Sequence, residues 1–336
     1  MTQRRNPRDG ELRARRLSRL IDELSDERVP LQFDGTAGQA LLDELDYARR
    51  PPTHEGLSPR FGALIVPHEL TARSLGFPAV IDAAADTDVD VLRRLADGRT
   101  SFVARHADRV ALVCFDRTIE HESTAVHVAA TAGITVVQRL PTGWVRIFAP
   151  HGVITWDGIR WWAKPIAGHL TATIQQRHPG LDPAVLDGLS QLCVHWLSAG
   201  RVGAILVWQT APDAPPLHHV GLGASTTLPP LDLTQPAHFA AILNVLAQTD
   251  RAAVVTAEGR LDQIGVALRS SPEAVEHVAT YRGTRHTSAL RFSYDEPSTL
   301  VFVVSSSGPV SVLRGGTVIS VAANTAPTAR VLQPGT

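Results

Sequence analysis

Between two sets of strand-like apolar runs, the chain carries Gly283-Thr284-Arg285-His286-Thr287-Ser288-Ala289, and no other stretch narrows its possible folds as much. Gly283 lets backbone approach a ligand closely, and Arg285 offers a planar fork that suits phosphate oxygens. The hydroxyls of Thr284, Thr287 and Ser288 add donors. The run 288–292 is expected to open a short helix whose free N–H groups face the same anion. Alone, the stretch reads as a turn capped by Thr287 with Arg285 in solvent. Its setting shifts the reading toward an anion cradle. Upstream lies a hairpin-like pair, 252–256 and 261–268, around a Glu258-Gly259 turn. Downstream, an apolar strand at 300–304 leads through Ser305-Ser306-Ser307-Gly308 into a second strand at 310–313.

At 336 residues the chain suits two domains, with a boundary expected near His178-Pro179-Gly180. Residues 1–28 are arginine-rich, and Leu17, Leu20, Ile21 and Leu24 fall at helical spacing, so a packed amphipathic helix is expected. Asp9, Glu11, Asp22 and Glu23 dilute that basic flank, and the formal net charge of −1 gives no field for nucleic acid, which is not an expected partner. No apolar run approaches the roughly 20 residues of a bilayer span, and the basic start lacks the apolar stretch of a secretory signal. Cys114 and Cys193 lie far apart in apolar segments and read as buried thiols of a cytoplasmic protein, with no membrane partner.

Residues 47–60, with Pro51-Pro52, read as a loop. Beyond them strand-like runs (62–66, 110–115, 134–137) alternate with helical patterns (89–95, 124–132), the mark of an α/β layer structure. A small meander follows at 144–148, 153–155 and 159–163, turning at Asp157-Gly158. His68, His106, His121, His127 and His151 are scattered without metal-ligand spacing, and adjacent Trp161 and Trp162 face opposite ways, so at least one is core.

In the second half, Asp182 caps a helix with Pro183 in its first turn, Val185, Leu186, Leu189, Leu192, Cys193 and Trp196 at helical spacing, and Gly200 at its end. A strand at 202–207 follows. Its Gly-Ala-Ile-Leu-Val echoes Gly-Ala-Leu-Ile-Val at 62–66, which raises an ancient duplication that five residues leave open. Residues 212–230 read as a loop, where His218-His219 lack a third metal ligand. A helix at 236–248, burying Phe239, Ile242, Leu243 and Leu246, delivers the chain to Asp250.

This order of helix, Gly-Ala-Ile-Leu-Val strand, Asp250-Arg251-Ala252, glycine-turn hairpin, Gly-Thr-Arg-His-Thr and a strand ending Val303-Val304-Ser305 resembles the diadenylate cyclase (DisA_N/DAC) domain family over about the last 150 residues. The resemblance implies an α/β fold: a C-terminal mixed-sheet domain flanked by helices, preceded by a separate α/β sensor-like domain. The expected division is a basic helical segment at 1–28, the sensor-like domain at 29–177, the cyclase-like domain at 180–325 and a tail at 326–336. It further implies condensation of two ATP into cyclic di-AMP with Mg2+ or Mn2+. By position, Asp250 would serve the metal and the attacking hydroxyl. Arg251 and Ala252 would adjoin the nucleotide, Gly265 and Leu268 would line an adenine pocket, and Ser305 would add a phosphate contact. Gly283, Thr284, Arg285, His286, Thr287 and Ser288 would hold the triphosphate. The two-fold product implies a face-to-face homodimer. Three features depart from the pattern: Arg251 stands where the family has glycine, Thr287 where it often has a second arginine, and Ser306-Ser307 where some members carry acidic residues. The alternative reading is a nucleotide-binding module that has lost turnover through Arg251.

Overall fold

Unbroken apolar runs become central strands covered on both faces. The computed structural model describes residues 7–29, 31, 35–53, 55, 58–68, 70–83, 87–107, 109–150, 152–221 and 228–323. His151, the tail 326–336 and part of the expected 212–230 loop lie outside the described residues. The chain divides into two units between Lys164 and Pro165.

The first unit runs α1 (Pro7–Asp26), α2 (Gly35–Arg49), β1 (Phe61–Ile65), β2 (Ala79–Ala83), α3 (Val89–Leu95), β3 (Ser101–His106), β4 (Arg109–Phe115), α4 (Glu122–Ala132), β5 (Thr135–Arg139), β6 (Val145–Ala149), β7 (Gly152–Trp156) and β8 (Trp161–Pro165). Its sheet has the order β2-β4-β3-β1-β5-β6-β7-β8. Leu20 and Leu24 of α1 and Leu41 and Leu45 of α2 pack with Phe61, Ala63 and Ile65, so the amphipathic N-terminal helix is part of this core. The loop expected from Tyr47 starts late, because α2 continues to Arg49 and Tyr47 packs edge-on against Phe61 at 4.8 Å. Trp161 is the core member of its pair, while Trp162 donates its ring N–H to Asp157.

The second unit runs α5 (Ala167–Arg177), α6 (Pro183–Gln191), a wide π-helical turn at Leu192–Leu197, β9 (Ala204–Gln209), α7 (Phe239–Ala247), β10 (Ala252–Val255), β11 (Leu261–Val266), α8 (Pro272–His277), α9 (Thr284–Asp295), β12 (Thr299–Val304), β13 (Val310–Arg314) and β14 (Thr317–Ala322). Its mixed sheet has the order β11-β10-β9-β12-β13-β14. Asp182 caps α6 by accepting from the N–H of Ala184 and Val185. Helices α5, α6 and α7 cover Leu206, Trp208 and Phe302 on one face, and α9 covers Val207, Val301 and Val303 on the other. A boundary at His178 would put α5 with the first unit. In the fold, Leu170 and Ile174 of α5 are buried with Leu186 and Leu189 of α6, which puts this helix in the second unit.

One order of strands recurs in both units. In the first, β4-β3-β1-β5-β6-β7 pairs antiparallel throughout except for the parallel β3–β1 pair. In the second, β11-β10-β9-β12-β13-β14 does the same, with β10–β9 parallel. These six strands also follow the same order along the chain, with a helix before the first, a helix before the second and helical segments between the third and fourth (α4 in the first unit, α8 and α9 in the second). Strands β2 and β8 are additions to the first sheet. The similar five-residue runs at 62–66 and 203–207 therefore mark a repeated fold.

Candidate functional site

The N-terminal ends of β9 and β10 and the C-terminal end of β12 meet at one end of the second sheet, beside the start of α9. A cleft of about 650 Å3 opens there. Arg251, Arg282 and Arg285 put three guanidiniums in its wall, and among the described residues no carboxylate lines it. Gly283, Thr284, His286, Ser288 and Ser305 complete most of the remainder, with Ile205, Ser307 and Pro309.

Helix α9 opens at Thr284, four residues before the expected start, with Gly283 as an extended N-cap and no capping side chain. The reason is the first helical bond, from Thr287 N–H to the Gly283 carbonyl at 3.0 Å. The Gly-Thr-Arg-His run is thus the first helical turn itself, and its leading N–H groups have no partner within the helix. With no acid in that turn, its partial positive charge adds to the arginines.

Arg285 reaches its place through a glycine. A methyl built on Gly203 would come within 3.1 Å of the guanidinium carbon and overlap its Nη1. Gly203→Ala is therefore expected to leave the fold intact, because the displaced group is the tip of a flexible side chain, and to weaken anion binding by several-fold to about tenfold. Titration of an ATP analogue checks this, with unchanged affinity as the contrary result.

His286 is 6% exposed, and its Nε2 has no hydrogen-bond partner among the described residues. Its ring meets Tyr281 nearly edge-on at 5.9 Å. Burial, then the charges of Arg282 and Arg285, hold the imidazole below its usual pKa. The ring is therefore neutral near pH 7, with an unsatisfied nitrogen at the cleft wall, and such a nitrogen calls for a ligand or water.

The other expected residues are placed as follows. Thr287 does not line the cleft; its hydroxyl accepts from the Tyr281 N–H and donates to the Tyr281 carbonyl, both at 3.1 Å, and braces the approach to Gly283. Ser305 shares a 2.9 Å hydrogen bond with Ser307 and shapes the β12–β13 turn. Arg251 adopts φ +75°, the left-handed conformation that glycine takes freely. Asp250 is exposed, immediately before it, and is not in the cleft wall. Ala252 is buried in the sheet core. Gly265, at φ +69°, sits where the β10–β11 pairing slips, and Leu268 bridges to Val220; neither lines the cleft. Sequence reasoning missed Arg282 and Ser307. The second arginine found wanting at Thr287 has counterparts in Arg251 and Arg282, whose only signal is adjacency to a motif.

Comparison with known proteins agrees with this division. Residues 18–165 match a family model described as the probable sensor domain DACNK, and residues 191–318 match one described as DAC, the DisA bacterial checkpoint controller nucleotide-binding domain. No curated protein matches the chain. Among solved structures, a hypothetical membrane spanning protein from Bacillus cereus is 20% identical over 45% of this chain and 74% of its own, with a TM-score of 0.29. In the described residues, no helix is long and apolar enough to cross a membrane. With both family models matched in this order, residues 18–165 form a domain of the DACNK probable-sensor family and residues 191–318 a domain of the DAC nucleotide-binding family.

Proposed function

We propose that the chain is a cytoplasmic diadenylate cyclase that joins two ATP into cyclic di-AMP, with the N-terminal domain as its regulator. The observation that carries this reading is the cleft with three arginines, a free helix N-terminus and, among the described residues, no carboxylate, which suits a triphosphate. In the reaction, the 3′-oxygen of one nucleotide bonds to the α-phosphorus of the other. The bond from that phosphorus to the bridging oxygen breaks, and pyrophosphate leaves with the electron pair. The hydroxyl proton passes to Asp250 or through it to water. Repeated in the opposite sense, the same step closes the ring, so two protomers must present their nucleotides face to face. Arg285 and Arg282 hold phosphate oxygens, and His286 contributes its unpaired nitrogen.

Among the described residues, no three His, Cys, Asp or Glu side chains gather as a metal cage. A single exposed carboxylate beside a phosphate site instead fits an ion bound largely by phosphate and water, as Mg2+ or Mn2+ prefers. When bound, such an ion neutralises charge on the phosphate oxygens, and Asp250 is the residue that would hold it.

Arg251 supports a second reading, that of a nucleotide-binding module without turnover, because its side chain stands in the cleft wall next to Asp250. The deciding experiment incubates the protein and its Arg251→Gly variant with ATP and Mn2+ and separates the products by chromatography. The wild type is expected to make the cyclic dinucleotide. The variant should make at least as much and be more stable by about 1 kcal/mol, since glycine relieves the left-handed strain. Product from the variant alone favours the module; ATP binding without product from either refutes the cyclase reading.

A further inference from the structure

The repeated fold permits a comparison within the chain. Gly62 and Gly203 each precede an alanine, Ala63 or Ala204, that packs toward the helices leading into its sheet, so both glycines face the opposite side. Beside Gly203 lies Arg285 and the open cleft. Beside Gly62 the same space is full. The buried Phe102 ring would sit within 2.7 Å of a methyl built there. Gln138, paired with Gly62 across the sheet, is buried and donates to the carbonyls of Gly98 at 2.9 Å and Ile119 at 2.6 Å. At the start of α4, where α9 offers free N–H groups to an anion, Glu122 is buried and paired with Lys164. The first unit thus keeps the fold and fills the cleft with its own ring, amide and carboxylate.

Its sizeable hollow lies elsewhere, among α1, α2 and α3, with a volume of about 780 Å3. Five arginines and three aspartates line it. Arg13 pairs with Asp43 at 2.7 Å, Arg16 with Asp46 at 3.2 Å, and Arg93 with Asp90 at 2.8 Å and with buried Glu44. Arg50 and Arg94 are exposed and have no ion pair among the described residues, which leaves two positive charges in the wall unbalanced. Tyr47 lies under the Arg93 guanidinium at 4.9 Å. Burial holds its phenol above the usual pKa, so it remains a hydrogen-bond donor.

We propose that this hollow binds a compact dianion, either a phosphate group or a dicarboxylate, and is the input site of the N-terminal domain. Two unpaired guanidiniums match two negative charges, Tyr47 adds a donor, and the paired arginines hold the walls in place. Binding there does not depend on whether the C-terminal cleft turns over ATP.

The test uses the full chain in an Arg285→Gln background, which weakens the other anion site. Thermal unfolding is followed with inorganic phosphate and, separately, with succinate. At least one is expected to raise Tm by roughly 3–5 °C at about ten times its Kd. Adding Arg50→Gln and Arg94→Gln, both at exposed positions, should leave the unliganded Tm unchanged and remove the rise. A response to phosphate alone or to succinate alone identifies the anion class. No rise with either anion overturns the proposal. So does a rise that survives the double substitution, which would be the general stabilisation exerted by an excluded anion. If the double variant does not fold, calorimetric titration of Arg94→Gln alone decides: affinity equal to that of the parent overturns the site.

Discussion

Arg285→Gln is expected to lower affinity for ATP by about 10- to 150-fold, the equivalent of losing a charge-assisted hydrogen bond of about 1.5–3 kcal/mol. Folding should be unaffected. The side chain is exposed and makes no ion pair among the described residues, and the first turn of α9 is held by backbone and by Thr287. Arg285→Lys should recover only part of the loss, because a point charge lacks the planar fork. The measurement is calorimetric titration with an unreactive ATP analogue at fixed ionic strength, since arginine–phosphate contacts weaken with salt. If Gly203 acts only by making room for this guanidinium, Gly203→Ala should cost little further once Arg285 is gone, because two changes to one contact are not additive. Wild-type affinity in Arg285→Gln would place the phosphate site away from this cleft.

The stretch that lines much of the cleft was legible because its residue types are unusual together and its neighbours are clear strands. Its internal geometry was less so. A glycine N-cap has no side chain to announce it, so the helix was expected at 288 when it opens at Thr284. Thr287 offers a hydroxyl suited equally to phosphate and to the Tyr281 backbone, and only the folded loop decides between them. Arg282 lies just before the motif and has no pattern of its own; what puts it in the cleft wall is the meeting of β9 and β12 beside it. The contact between Gly203 and Arg285 spans two elements far apart in sequence, beyond the reach of any local pattern. The α/β class and the buried strands β1, β9 and β12 followed from unbroken apolar runs. The edge strands β2 and β14 are partly exposed, with Val80 and Val321 facing solvent, and so lack that signal. The repeated strand order is a pattern of pairing, which five similar residues can suggest and only register can establish.

Asp250→Asn is expected to reduce cyclic dinucleotide formation by about 10²–10⁴-fold while ATP binding stays equal or tightens. The change replaces one oxygen by an NH2 group at an exposed position, so neither the end of α7 nor the start of β10 should move, and Tm should hold. What disappears is an anionic oxygen able to take the 3′-hydroxyl proton and hold a divalent ion. Losing a negative charge next to a triphosphate favours the ground-state complex, whereas the step that forms charge on oxygen loses its partner. A lower kcat with a flat or lower KM is the signature of a group that acts in the transition state. Steady-state kinetics with ATP and Mn2+, alongside a melting curve, tests it. Turnover equal to wild type would remove Asp250 from the chemistry. A fall in Tm together with ATP affinity would make it a structural brace at the mouth of the cleft. A fall in kcat alone would join the arginine wall and the carboxylate beside it into one site, although the carboxylate stands outside the wall.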